Sequence, residues 1–137
     1  EGAPTPITVT DKTTVRGLVL VKKQAIDANC NAIPAAGNFT IDDIEGALPG
    51  QCIVYQIQAR NTFTTAGLAS NITDITILDK FGQFSANATY VPASLTTTKG
   101  APTITANDVS AVSFTLAAQE TATMQFKVKI KPGITGP

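Results

Sequence analysis

Apolar and polar residues alternate most clearly in two stretches of the chain. In residues 51–61, QCIVYQIQARN, Ile53, Tyr55, Ile57 and Ala59 fall on one side of an extended backbone, with Val54, Gln56, Gln58 and Arg60 on the other. In residues 121–131, Met124, Phe126, Val128 and Ile130 point one way, while Gln125, Lys127, Lys129 and Lys131 point the other. A period of two predicts strands with one buried and one wet face. The lysine row of the second stretch suits a solvated face or a guarded sheet edge. Residues 16–26, RGLVLVKKQAI, form another strong strand. Leu18, Val19, Leu20 and Val21 place apolar groups on both of its faces, and Lys22-Lys23-Gln24 is expected to bring it to the surface. Residues 71–79 follow with Ile75 and Ile77 on one face, and residues 110–117 with Val112, Phe114 and Leu116 facing the core. Shorter extended pieces are expected at 7–10, 85–90, 93–98 and 103–106.

Between these runs the chain is punctuated by turn residues. Residues 27–37, DANCNAIPAAG, read as loop, and residues 38–50 as an irregular connection with a short turn of helix. A connection of that length without its own structure is uncommon unless it has a function or a staple. Residues 63–70 read as a turn or wide loop. Strands at regular spacing with turn signals between them, and no convincing helix, predict an all-β fold, an antiparallel immunoglobulin-like β-sandwich of about seven to nine strands. Residues 1–15 are assigned to a linker or edge strand, 16–131 to a single sandwich domain and 132–137 to a linker, because both ends are rich in Pro and Gly.

Composition sharpens this picture. With 137 residues the chain can bury a core of its own, and with 43% apolar but only 6% aromatic residues and no Trp, that core must rest on Ile, Val, Leu and Ala. Ten basic residues balance ten acidic ones, which removes any broad attraction to nucleic acid or to an anionic membrane surface. No apolar run is long enough to span a bilayer, so no direct membrane insertion is expected. Cys30 and Cys52 bracket the long excursion, and with neither a CxxC nor any His to complete a metal site, a disulfide between them is the better reading than two buried thiols. It would stabilise the fold by roughly 3 kcal/mol.

Candidate chemistry is sparse. Without His, no Ser-His-Asp or Cys-His site can form. Asp42, Asp43 and Glu45 sit in a polar loop, where a solvated acidic surface is a better reading than a glycosidase pair. Asp27-Ala28-Asn29-Cys30-Asn31 has the spacing of the first calcium-loop ligands. Ala32 stands where the loop needs Gly and Asn38 where it needs Glu, which favours an Asx-rich turn. Lys22 or Lys23 and Asn61 lie on strands able to neighbour each other. An internal Lys–Asn amide, which releases ammonia and needs a buried acid beside the pair, is set against plain exposed lysines. The Asn-x-Thr triplets at 38–40, 71–73 and 87–89 are expected by chance in a chain so rich in Asn and Thr. Tyr55, on the apolar face, is assigned to the core instead of a sugar platform. No catalytic, cofactor-binding or metal-ligating residue, and no cofactor, is assigned.

Three stretches carry a family resemblance: Leu18-Val19-Leu20-Val21-Lys22-Lys23, the run from Pro49 and Gly50 through Tyr55 to Asn61-Thr62, and Ile72-Thr73-Asp74-Ile75-Thr76-Ile77-Leu78-Asp79. With the Phe126-Lys127-Val128 ending, residues 16–131 resemble the conserved repeat modules found in tandem in secreted and surface-anchored bacterial proteins, classed as a domain of unknown function. Where that family has Gly after Asn-Thr, this chain has Phe63. The resemblance implies an immunoglobulin-like sandwich without catalytic residues. The expected role is a structural spacer or stalk repeat, extracellular or on the bacterial surface or in the periplasm, whose partners are neighbouring domains of the same chain. The alternative is an adhesin or carbohydrate-binding module that takes a surface glycan or protein on the 27–50 and 63–70 loops.

Overall fold

The computed structural model describes residues 5–8, 12–15, 17–42, 44 and 46–132. Its strands are β1 (Thr5–Thr8), β2 (Lys12–Val15), β3 (Leu18–Asp27), β4 (Cys52–Asn61), β5 (Ile72–Lys80), β6 (Ala88–Tyr90), β7 (Thr96–Thr97), β8 (Ala101–Ile104), β9 (Asp108–Leu116) and β10 (Thr121–Ile130). Eight of them run to four residues or more, within the expected range. They form two sheets, one ordered β1-β5-β9-β8 and the other β2-β3-β4-β10-β6, with β7 also on β10. Every pairing is antiparallel except β1 on β5. The fold is therefore the all-β sandwich that the alternation predicts. The expected piece at 7–10 overlaps β1, but residues 9 and 10 lie outside the described residues, as do Asp43, Glu45, residues 1–4 and 11 of the first expected linker and 133–137 of the second.

The core lies between the sheets. β3 and β4 contribute Leu18, Leu20, Ile53, Ile57 and Ala59, and β10 contributes Met124, Phe126 and Val128. The opposite sheet answers with Ile75, Ile77, Val109, Ala111, Phe114 and Leu116. Tyr55, Phe81, Phe84 and Tyr90 stack around Phe126 at one end, with centroid separations of 5.4–6.4 Å. Such rings attract beyond the area they bury, by about 0.5–1.5 kcal/mol per pair. Few aromatics are thus concentrated in one corner, and aliphatic side chains fill the rest.

Several expectations change. Val112 does not face the core, because β9 carries a bulge. Ile77 pairs with Ala111 but Ile75 with Phe114, which leaves one extra residue on β9. Ser113 takes that place with φ 51°, and a matching extra residue on β5 is Asp74, at φ 57°. A bulge flips the alternation, so Val109 and Ala111 point inward before it, Phe114 and Leu116 after it, and Val112 outward. The Ser113 amide donates to Thr76 Oγ1 at 3.3 Å. β10 is no edge: it lies between β4 and β6, and Lys127 of its lysine row is buried. β3 does not surface at Lys22-Lys23-Gln24, since Lys22 and Gln24 are buried and the strand runs on to Asp27. The expected strands at 85–90 and 93–98 shorten to β6 and β7, while β8 begins and ends two residues before the piece expected at 103–106.

Candidate functional site

Two buried lysine–aspartate pairs organise this sandwich, one inside the core and one beneath the long loop. The first follows from strand parity. Leu18, Leu20 and Lys22 share the inward face of β3, and Ile75, Ile77 and Asp79 share the inward face of β5, with the bulged residues already behind them. The two ionic side chains therefore meet across the sheets. Lys22 Nζ lies 2.8 Å from Asp79 Oδ2 and 4.5 Å from the centroid of the Tyr55 ring. Asp79 is fully buried. Burial pushes its carboxyl above the ordinary carboxylate range, against the pull of the Lys22 charge and of the hydrogen bonds from Lys22 and the Lys80 amide.

The second pair holds down the excursion between β3 and β4. Cys30 and Cys52 are joined, as expected, with S–S 2.03 Å and Cα–Cα 5.1 Å. Lys127 Nζ reaches Asp27 Oδ2 at 2.5 Å and donates to the Ala32 carbonyl at 3.1 Å, while the Ala32 amide donates back to Asp27 Oδ2. Burial raises the Asp27 carboxyl, but the Lys127 hydrogen bond, the amides of Ala32 and Asn31 and the Lys127 charge together hold it below its ordinary value. The loop then turns around the edge of β3 past the reach of β2. There Thr40 and Gln24 exchange both main-chain hydrogen bonds, at 2.9 and 3.0 Å. Ile44 and Ala47 pack on the core, and Gly50 and Gln51 bond to Ile130. The predicted staple is thus one of several attachments. Asp27 Oδ2 of the candidate calcium loop is engaged with both Lys127 and Ala32, and among the described residues no group of three or more Cys, Asp or Glu lies close enough to share an ion.

The Lys–Asn pairing does not occur. Asn61 is opposite Leu18, whereas Lys22 is opposite Ile57, four residues further along the ladder. The buried Asn61 carboxamide instead organises the 63–70 loop. Its Nδ2 donates to Ser70 O at 2.7 Å and Leu116 O at 2.9 Å, and its Oδ1 accepts from the Phe63 amide. Gln119 closes the same turn by donating to the carbonyls of Thr62 and Phe63. Lys23, the other lysine of that reading, points to the opposite face of β3 from Lys22.

Two hollows flank the segment from Phe84 to Ala88. One, of about 570 Å³, lies under the loop and is lined by Gln24, Ile44, Ala47, Tyr55, Phe84 and Asn87. The other, of about 590 Å³, is edged by Lys80, Phe81, Tyr90, Asn107 and Lys131. Its Phe81 and Tyr90 rings stack at 5.6 Å and 22°. The 27–50 loop lines the hollow beneath it and, through Cys30 and Ile33, another beside residues 91–94. The signal for the second hollow was the spacing of Phe81, Phe84 and Tyr90 around a Gly-containing turn. No described helix is long and apolar enough to cross a membrane.

No protein-family model, no curated protein and no solved structure matches this chain.

Proposed function

We propose that the chain is a non-catalytic structural module, a spacer or stalk repeat of a bacterial secreted or cell-surface protein. The observation that carries this reading is the fixing of its one long excursion. Disulfide, buried ion pair, edge bridge and Ile130 contacts tie it down along its length. Loops that serve binding are drawn from the least stable parts of a fold, whereas a module that transmits position gains from having none. A disulfide fits an oxidising compartment. The absence of His from the sequence removes the commonest general base. The test is limited proteolysis of the folded chain with and without reductant. A spacer resists cleavage between residues 28 and 51 when oxidised, and rapid cutting there in the oxidised protein refutes the reading.

A second reading, a carbohydrate-binding or adhesin module, draws on the Phe81–Tyr90 stack with Asn107 and two lysines at its rim. Aromatic faces with a few polar groups suit a sugar ring. Glycan-array binding by the intact chain that disappears in Tyr90→Ala supports this reading over the spacer; an array without signal supports the spacer.

A further inference from the structure

The hollow edged by Lys80 and Lys131 gathers positive charge on a chain whose formal net charge is zero. Among the described residues no Asp or Glu lines it. The acids beside Lys80 are turned elsewhere: Asp79 reaches into the core onto Lys22, and Asp108, opposite Lys80 on the ladder, accepts from the Thr105 hydroxyl at 3.1 Å. Among the described residues neither Lys80 nor Lys131 is paired with a carboxylate. Lys131 Nζ donates to the Ser85 carbonyl at 2.6 Å, and an ammonium has two further donors to give. Both sheets build the walls. Phe81 follows β5, Tyr90 ends β6, Lys131 follows β10, and Asn107 lies in the turn between β8 and β9. The Phe81 amide donates to the Asn107 carbonyl at 2.8 Å, and the Lys131 amide to the Asn87 carbonyl at 2.9 Å. Main-chain bonds thus fix the walls, and the hollow exists without any closing movement, as small-molecule sites commonly do.

We infer that this hollow takes a carboxylated sugar, a uronic-acid unit of an acidic glycan. The inference deepens the second reading above, a carbohydrate-binding module, and rests on it. Three features of the lining select the ligand together. The two ammoniums call for an anion. The Phe81–Tyr90 pair supplies an apolar wall for the C–H face of a sugar ring. The Ser85 hydroxyl and the Asn107 carboxamide can exchange hydrogen bonds with ring hydroxyls. A bare anion such as sulfate engages the lysines and leaves the aromatic wall unused. A neutral sugar engages the wall and leaves both ammoniums without a counter-charge. A uronate satisfies both, and its carboxylate accepts from Lys80 and Lys131. The volume of about 590 Å³ lies within the range of small-ligand sites, about 300–1,000 Å³. Because Lys80 is exposed, its contribution is screened by salt.

The experiment is titration calorimetry of the full chain with oligomers of galacturonate, mannuronate and glucuronate, with their methyl esters, and with sodium sulfate. The esters keep the sugar skeleton and remove the charge. At least one uronate oligomer is expected to bind, its ester roughly tenfold more weakly, and sulfate not at the same concentrations. Lys80→Met and Lys131→Met should each weaken uronate binding by about tenfold, the value of one charge-assisted hydrogen bond. Lys23→Met, on the outward face of β3, should leave it unchanged. Raising the salt from about 0.05 M to 0.5 M should weaken the uronate and spare the ester. Lys80 is exposed, so Lys80→Met is expected to melt as the wild type does and carries the test if Lys131→Met, which loses the Ser85 contact, does not fold. Equal binding of acid and ester, unmoved by either lysine change, overturns the acidic preference and leaves the carbohydrate reading standing. Silence from every sugar overturns both. Sulfate binding as strong as the uronate shows an anion site only and overturns the sugar.

Discussion

Asp27 and Lys127 show how a single pair sets the pH response of a loop. The Asp27 carboxyl titrates below its ordinary range in the folded chain. Its contribution is therefore complete above the unfolded-state value and fades as pH falls through the folded one. Lys127→Met leaves the buried carboxylate without its cation. The expected loss is about 3 kcal/mol at neutral pH, shrinking in acid as Asp27 is protonated; urea titrations at both pH values measure it. Gly17 and Phe63 make a second pair. Gly17 has φ +80°, and a Cβ there would stand 2.6 Å from Phe63 Cε2. Gly17→Ala is expected to destabilise by about 1–2 kcal/mol through backbone strain and the clash. Adding Phe63→Ala should restore part of it, and a double-mutant cycle reads the coupling. The Phe63 ring is accommodated because Gly17 carries no Cβ beneath it. The site residues were partly legible at this scale. Strict alternation puts Lys22 on the face of Leu20 and Asp79 on that of Ile77, yet Lys22 is expected at the surface from sequence, because a lysine reads so until a partner on another strand is known. Asn61 gave no sign of its buried turn contacts, which come from Ser70 and Leu116, distant in sequence.

Strand by strand, alternation located β3, β4, β5 and β10, because each places a row of apolar side chains on one core and the pattern survives in sequence. It failed at β9, where one additional residue reversed the parity and no residue type announces a bulge at Ser113. It failed also on the outer face of β10, where Lys127 is covered by a loop whose path depends on Cys30 and Ala32. Short strands such as β6 and β8 take their bounds from their neighbours, and their own residues do not specify them. The excursion between β3 and β4 yields the prediction at this scale. Opening the Cys30–Cys52 bond, which spans a sequence separation of 22, should lower stability by about 3 kcal/mol. Thermal unfolding with and without reductant, and of Cys30→Ser/Cys52→Ala, measures it. A two-state transition should persist after reduction, because Lys127, Thr40 and Ile130 still hold the loop.

For the molecule as a whole, the decisive arrangement is that β10 sits inside the larger sheet. It pairs with β4 from Thr121 opposite Arg60 to Lys129 opposite Cys52, and on its other side with β6 and β7. Met124, Phe126 and Val128, which it supplies to the core, are all fully buried. β10 is also the last described strand to be synthesised. While a ribosome has yet to finish it, β4 has an unpaired rim and the core lacks Ala122, Met124, Phe126 and Val128, so the nascent domain cannot lock early. The polypeptide therefore stays without a cooperative core until translation of this region is complete. A version halted before Thr121 should show no cooperative melting and should be digested readily, and a sigmoidal transition from such a truncated chain would contradict this order of events.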